Sequence, residues 1–524
     1  MEKALLNCSL ILILIYFYRI TRHGLHILQL ENYYVDRYAS WMKRCVKKVL
    51  NIKTIVILLV PTVLFMINTE VTTKIAFAIE IIGLIYLIFS FKREKEKKAF
   101  VVTARIKRVY TTYIILFVIA FTLANIFNYR IAIGVLNICA IFAYLFVYIV
   151  SIINKPIEKT IRRGFCKKAE NKLKEIPGLE VVGITGSYGK TSTKYAVNTL
   201  LSQKYNSLMT PESYNTTMGV VRTINEKLSS IHQLFVCEMG AKYVGDIKEI
   251  TDIVNPKYGI LTAIGPQHLD TFKSIENVQK TKLELIDSLP DDGIAFVNWE
   301  DENIRNAGLT RPEIVKYGLH DDADYYAENI EITEKGSTFD VVIPGKKPIS
   351  IKTKLLGNLN ILNIVAAVAI SDKLGLSEEQ IKVGAKYLRP VTHRLELRQN
   401  PNGSIIIDDA YNSNIKGATM ALEVLKSFRG KQRILITPGI VELGDKAVEI
   451  NKKLGTLAAD SSDYIILVGA SQTVPIYNGI MEAKYPESKV YIAKNLQDAL
   501  SKMNQIIDRN SVVLLENDLP DNYL

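Results

Sequence analysis

Between Gly183 and Lys194 the chain reads GITGSYGKTSTK. Two glycines, a lysine and a run of hydroxyls suit the cradling of a polyphosphate. Backbone N–H groups close in where no Cβ intervenes, an ammonium reaches the outer phosphates, and a hydroxyl holds a magnesium ion. The residues that would do this are Gly186, Ser187, Gly189, Lys190, Thr191 and Ser192. The longer phosphate-loop spacing calls for glycine at position 184, which here is Ile184, so the shorter pattern Gly186-x-x-Gly189-Lys190-Thr191 is the one present. Its flanks support it: VVGITG predicts a buried strand and TSTKYAVNTLLS a helix, whose N-terminus adds its dipole to anion binding.

Further candidates follow the loop in order: Glu238 after LFVC, His268 after GILTAIGPQ, Lys282 within VQKTKLELIDSL, and Asn298 after GIAFV. Taken singly, a helix cap, a loop histidine or a solvated helix face explains each of them. It is their order behind a phosphate loop that gives them a common purpose.

The elements that must position these residues begin near 178. Short apolar runs (EVVGITG, LFVCEMGA, YGILTAI, GIAFVN, then SIIIDDA, RILITPG, DYIILVGA, KVYIA and SVVLLE) alternate with amphipathic stretches. That pattern predicts α/β units with parallel sheets covered by helices on both faces. Two are expected, a central domain over 178–388 and a smaller Rossmann-like domain over 389–524, with ligands at the carboxyl ends of the strands.

The front of the chain differs. Stretches 4–20, 54–70, 75–91, 109–127 and 131–153 are apolar and near bilayer-spanning length, so residues 1–155 are expected to form about five transmembrane helices and 156–177 a cytoplasmic linker. No small-x-small site follows the first stretch, which is expected to stay as an anchor. Arg19, Arg22, Arg37, Lys43, Arg44, Lys47, Lys48 and Lys53 lie in the first connection and KREKEKK in the third, whereas NTEVTTK and NYR are nearly bare. Basic connections stay in the cytoplasm, so five spans leave the N-terminus outside and the α/β domains inside a multi-pass membrane protein, on the side where ATP is. The formal net charge of +12 is then accounted for by membrane-flanking segments such as KRCVKK and IRRGFCKK, not by a nucleic-acid partner. Glu80 is expected at a solvated span edge, and the five cysteines, without paired spacing, as reduced thiols.

Longer segments carry a resemblance: GITGSYGKTST, TPESYNTTMGV, VCEMGA, LTAIGPQHLDTF, KTKLEL, AFVNWED, LLGNLNILNIVAAVA, RPVTHRLE, IIIDDAYNSN and ITPGIVELG. In this order, over about 178–470, the chain resembles the Mur ligase family of ATP-dependent carbon–nitrogen ligases of cell-wall peptidoglycan assembly, and within it the branch that adds D-alanyl-D-alanine. The resemblance implies ATP and Mg2+ as cofactors and an acyl-phosphate intermediate. Lys190, Glu238, His268 and Lys282 become the catalytic group. Thr191 and Glu238 would hold one magnesium; His268 and a carbamylated Lys282 would serve a second, with Lys280 the weaker candidate. Asn298 matches the adenine contact, while Asn360, Asn363, Arg394 and Asp409 match nucleotide or interdomain positions. Asn215, Thr216, Tyr411, Asn412 and Asn414 match substrate-facing segments.

The departures bear on substrate. The family's UDP-sugar-binding domain before the phosphate loop is missing, and apolar helices stand in its place. The carboxylate acceptor is therefore expected to be lipid-linked or to lie at the membrane, with an amino acid or short peptide as the amine. His393 replaces a glycine, Leu359 a histidine, and LLENDLPDNYL a KGSR-like segment; its Glu516, Asp518 and Asp521 are expected to be a solvated acidic tail. Two alternatives stand beside a single-addition ligase: a poly-amino-acid synthase of Mur-like type, and the ATPase domain of an envelope polymer export protein.

Overall fold

The computed structural model describes residues 2–31, 33–67, 69–91, 99–310, 313–333, 336–410, 414–441 and 443–517. The KREKEKK connection, Tyr411, Asn412, Asp518 and Asp521 lie outside them. Two compact units form, one up to Arg163 and one from Gly164 onward.

The N-terminal unit is helical. Among the described residues three helices are long and apolar enough to cross a membrane: Glu2–Leu30, Val46–Ile67 and Glu70–Ser90. The fourth apolar stretch lies in the helix Ala104–Phe127. The fifth is not a straight span. It breaks between helices Tyr129–Ile141 and Ala143–Lys174, which diverge by 84°, so together they count as at most one further crossing. Capping sets two of the boundaries: Thr69 and Thr72 form a reciprocal box that starts Glu70–Ser90, and Asn128 accepts from Arg130 N to start Tyr129–Ile141. Because the third helix begins at Glu70, Glu80 falls at its middle and not at a solvated edge; its residue is fully buried. The expected linker is also helical, since Ala143–Lys174 runs through it, and Ala169 packs into the core of the second unit.

The second unit contains two sheets. The first has the order β2-β3-β1-β4-β5-β6-β7-β8-β9, from β1 Glu180–Thr185, β2 Ser207–Met209, β3 Leu234–Glu238, β4 Tyr258–Leu261, β5 Ile294–Asn298, β6 Ile314–Gly318, β7 Tyr325–Thr333, β8 Gly336–Val342 and β9 Ile349–Thr353. Its first seven strands pair in parallel, whereas β7, β8 and β9 are antiparallel. The parallel core is covered on both faces, which is why it reads as unbroken apolar runs. Val182 and Ile184 face a cluster built on the buried helix Asn358–Lys373, while Val181, Phe235 and Cys237 face another with Leu285.

The second sheet, β10 Glu396–Gln399, β11 Ile405–Asp409, β12 Gln432–Thr437, β13 Tyr464–Val468, β14 Val490–Ala493 and β15 Ser511–Glu516, has the order β10-β11-β15-β12-β13-β14. Only β10 runs antiparallel to its neighbour. Glu516 ends a central strand and is fully buried beside Asp409, its register partner, so it is not part of a solvated tail.

Candidate active site

Four neighbouring parallel strands, β3, β1, β4 and β5, end on the same edge of the first sheet. Adjacent strands lie about 4.8 Å apart, so residues at their carboxyl ends converge without any long reach. Glu238 closes β3, the Gly186–Gly189 loop follows β1, Thr262 follows β4, and Asn298 closes β5.

The loop is held shut against β4. Gly186 has φ 149°, and a Cβ there would lie 2.0 Å from Thr262 Oγ1 and 2.8 Å from Ala263 N; only glycine fits. Gly189, at φ 83°, starts the helix Lys190–Leu201. Ser187 N donates to Ala263 O at 2.8 Å and Ser187 Oγ to Gly265 O at 3.0 Å. Lys190 Nζ lies over the loop and donates to Gly186 O at 2.6 Å. Burial pushes its ammonium down to about 8; Glu238 opposes that and Arg394 adds to it. Ser192, one residue beyond Thr191, is half-buried.

Glu238 is the hub. Its Oε1 accepts from Thr191 Oγ1 at 3.1 Å and from Asn215 Nδ2 at 2.9 Å. Its Oε2 lies 3.0 Å from Lys194 Nζ, and both side chains are buried. Lys194 also donates to Glu212 O, which ties the 211–216 loop to the same centre. Burial lowers the Lys194 ammonium's pKa, and Glu238 opposes that shift. A carboxylate beside a hydroxyl is an oxygen-donor set that suits magnesium, which takes one or two carboxylates and leaves its other positions to phosphate and water.

Lys282, in the helix Ile275–Asp287, is 1% exposed, while Lys280 two residues earlier is exposed. Burial pushes its ammonium well below the ordinary lysine range, the charge of nearby Lys190 adds to this, and Asp246 and Glu284 oppose it. His268 has φ 52° at the start of the short helix Leu269–Phe272, beyond β4, and is half-buried. Lys190, Glu238 and Lys282 thus share one electrostatic neighbourhood. Among the described residues no three His, Cys, Asp or Glu side chains cluster as a metal group, so any metal here would rest on a mixed set.

Other candidates hold the walls. Asn298 Nδ2 donates to Thr262 O at 2.7 Å and its Oδ1 accepts from Glu300 N, joining the ends of β4 and β5. Asn363 Oδ1 accepts from Thr193 Oγ1 at 2.9 Å, while its buried Nδ2 has no partner among the described residues. Asn360 Nδ2 donates to Leu356 O, just ahead of the helix Asn358–Lys373. Thr216 and Asn414 occupy N-caps, accepting from Gly219 N and Gly417 N. Asp409 Oδ1 accepts from Leu395 N at 3.2 Å; burial raises its carboxyl to about 6, against the pull of Arg394. His393, in a position where the family resemblance expects glycine, has φ 60°, a left-handed backbone that explains the preference for glycine. Its Nδ1 lies 2.8 Å from Asp408 Oδ2.

Sequence reasoning missed Lys194 and Asp301. Asp301 is 1% exposed; its Oδ2 accepts from Tyr188 OH at 3.0 Å and from Ile264 N, and lies 3.1 Å from Lys416 Nζ. It thereby connects the phosphate loop to the second sheet's helix Ile415–Ser427. The NWED segment after β5 was its only local signal.

A phosphate loop at the parallel part of one sheet, a second doubly wound sheet tied to it through Asp301, and a buried carboxylate–lysine centre define a two-domain phosphate-loop protein. Residues 184–371 match the Mur ligase middle domain and residues 393–516 the Mur ligase, glutamate ligase domain. The chain is 30% identical over 331 residues to the UDP-N-acetylmuramoyl-tripeptide--D-alanyl-D-alanine ligase of Escherichia coli (strain K12), covering 62% of this chain and 72% of that one. It is 29% identical over 294 residues to the protein of the same name in Bacillus subtilis (strain 168), where the match spans 56% of this chain and 63% of the relative. The solved MurF of Acinetobacter baumannii aligns with a TM-score of 0.62 at 26% identity, over 69% of this chain and 78% of that one. MurF of Thermotoga maritima in complex with ADP shares the fold at a TM-score of 0.62 and 23% identity, over 68% and 80%. The chain belongs to the Mur ligase family and is a carbon–nitrogen ligase, MurF-like in its central and C-terminal domains. The export-ATPase alternative falls with that assignment.

Proposed function

We propose that the protein is a membrane-anchored ligase that converts a carboxylate of a cell-envelope precursor to an acyl phosphate with ATP, then joins it to the amine of an amino acid or short peptide. The observation that carries this reading is that Glu238, at the end of β3, and Lys282, from the helix Ile275–Asp287, both lie within the electrostatic reach of Lys190 behind the phosphate loop. The domain division at about 388 and the assignment of 1–155 to the membrane belong to the same proposal.

In the first step a carboxylate oxygen attacks the γ-phosphorus, the bond to the β,γ-bridging oxygen breaks, and ADP leaves with the electron pair. Two anions must approach in line, so positive charge has to be fixed beforehand. The Gly186–Thr191 backbone N–H groups and Lys190 supply it on the phosphate side. Thr191 and Glu238 would hold one magnesium ion, and His268 with Lys282 a second, which would screen the phosphate charge. Because burial favours the neutral amine of Lys282, it can add to carbon dioxide, forming a carbamate and releasing a proton; the cation then becomes an anionic oxygen ligand. In the second step the amine nitrogen attacks the acyl carbon, the tetrahedral intermediate collapses with phosphate as leaving group, and the ammonium proton passes to solvent. Asn298, Asn363, Arg394 and Asp409 would hold the nucleotide and the closing domain, with Asn215, Thr216, Tyr411, Asn412 and Asn414 on the substrate side. Closure excludes water that would hydrolyse the acyl phosphate.

In the sequence, apolar helices precede the phosphate loop where the family resemblance expects a UDP-sugar-binding domain, which favours an acceptor at the membrane, reached from a cytoplasmic ligase unit. Membranes containing the protein, supplied with ATP, magnesium, envelope precursors and in turn single amino acids or D-alanyl-D-alanine, should release phosphate only when amine and acceptor are both present. Product mass separates one addition from a polymer ladder. Nucleotide hydrolysis that never yields an amide with any pair would sink the proposal.

A further inference from the structure

The N-terminal unit buries a second polar centre, remote in sequence from the ligase motifs. Glu80 has ten residues of its helix Glu70–Ser90 on either side. At a rise of about 1.5 Å per residue, each arm is about half the thickness of a hydrocarbon core. Its Oε2 accepts from Ser9 Oγ at 2.5 Å and its Oε1 from Asn137 Nδ2 at 2.7 Å. Asn137 Nδ2 also donates to Thr62 Oγ1 at 3.1 Å, and Thr62 donates to Leu58 O at 2.7 Å. Four helices therefore each contribute one polar side chain to a single point. Glu80, Ser9 and Asn137 are 0% exposed.

Close packing builds the surround. Gly83 lies one turn after Glu80, and a Cβ there would meet Ile57 Cγ2 at 2.3 Å. Gly134 lies one turn before Asn137, and a Cβ there would meet Thr62 Cγ2 at 3.1 Å. Both glycines let their helices press onto the helix Ile52–Ile67, the small-residue packing expected of apolar bundles. Pro61 lies within that helix next to Thr62, and the Tyr129–Ile141 helix ends in the 84° break soon after Asn137. An ionisable side chain buried among apolar helices and met by polar groups from neighbouring helices is where membrane proteins place ions or protons.

The charge balance is incomplete. Among the described residues only neutral donors contact Glu80, and no lysine, arginine or histidine pairs with it. Asn137 Oδ1 is buried without a hydrogen-bond partner among the described residues. Turning the Asn137 amide over would bring that oxygen to face Glu80 Oε1 and Thr62 Oγ1, an arrangement of mutually repelling oxygens unless a cation lies between them. We propose that Glu80, Asn137, Thr62 and Ser9 form a binding site for a monovalent alkali cation of the sodium class. All the donors are hard oxygens, which excludes soft metals. One carboxylate neutralises one positive charge, whereas a divalent ion would leave net charge in apolar surroundings. A proton on Glu80 would neutralise the carboxylate too, and the salt comparison below distinguishes the two. The site is independent of the ligase reading; only its depth in a bilayer rests on the membrane reading.

The test uses the full chain purified in detergent, with sodium chloride compared with choline chloride at equal ionic strength. Dicyclohexylcarbodiimide, which adds to protonated carboxyls in apolar surroundings, is located on Glu80 by mass spectrometry. About 100 mM sodium is expected to slow that labelling about tenfold, as a ligand at ten times its Kd would. Sodium is also expected to raise the thermal unfolding midpoint of the wild type relative to choline. Asn137→Ala should still be labelled but lose the sodium protection, and Glu80→Gln should lose the sodium-specific thermal shift. Should either variant fail to fold, the wild-type salt comparison alone decides. Identical labelling and identical midpoints in the two salts would mean that the centre is a protonated carboxyl tying helices together, and would overturn the proposal.

Discussion

Glu238 and Glu80 are both fully buried carboxylates, one in each unit, yet they are satisfied in opposite ways. Glu238 has an ammonium, Lys194, at 3.0 Å, with a hydroxyl and an amide on its other oxygen. Among the described residues Glu80 has only a serine hydroxyl and an asparagine amide. For the first the fold supplies a cation. The second must obtain a cation or a proton from outside the chain, since burying an unpaired charge is far costlier than burying a paired one. The same residue type thus serves two chemistries, and its partners decide which.

The largest effect is expected at Lys282. Lys282→Ala should lower amine-dependent phosphate release by about a thousandfold or more, a loss of the size seen when a fixed transition-state charge is removed. A short carboxylate such as acetate should restore part of it; wild-type turnover in the variant would dismiss the carbamate.

Next comes Lys194, which bears directly on the contrast between the two glutamates. Lys194→Met leaves Glu238 as an unpaired buried charge, so thermal or denaturant unfolding should report a loss of about 3–5 kcal/mol. Magnesium with ADP should restore more stability to the variant than to the wild type. If the variant is as stable as the wild type, the Lys194 ammonium is not what balances Glu238, and the contrast with Glu80 disappears.

A smaller, graded effect follows from Lys190. Its free-state pKa of about 8 lies below the ordinary lysine value because burial disfavours the ammonium. Bound phosphates favour the ammonium and raise that pKa, so ADP binding should take up a proton above pH 8, and affinity should fall as pH rises through 8. Calorimetry in buffers of different ionisation enthalpy reads both. Proton release, or affinity that climbs with pH, would reverse the sign argued here.

The smallest effect is expected at Glu80. Glu80→Gln should leave amide formation within about twofold of wild type, a change of less than one RT in the barrier. A loss as large as that at Lys282 would mean that the two buried centres act as one.

Much of the site was legible because phosphate chemistry demands a local sequence. Gly186, Gly189, Lys190 and Thr191 lie within six positions, and the strands that end in Glu238 and Asn298 are apolar up to those residues. The antiparallel extension was not. In β9 buried and exposed residues alternate, as expected of a strand at a sheet edge with one solvated face, so no apolar run marks it. Lys194 was equally opaque. A lysine four residues past Lys190 on a helix has the pattern of a solvated face, and only the pairing of β3 beside β1 brings Glu238 against it.

By itself the sequence determined the order of strand, phosphate loop and helix, the two α/β domains, and the apolar character of the front, because each depends on residues adjacent in the chain. Tertiary structure alone decided the partners of the buried charges. Ser9, Thr62, Glu80 and Asn137 meet only after four helices pack, and Asp301 reaches Lys416 only when two sheets come together. Burial turns such encounters into strong constraints, since a polar group removed from water must find its partner wherever the fold puts one.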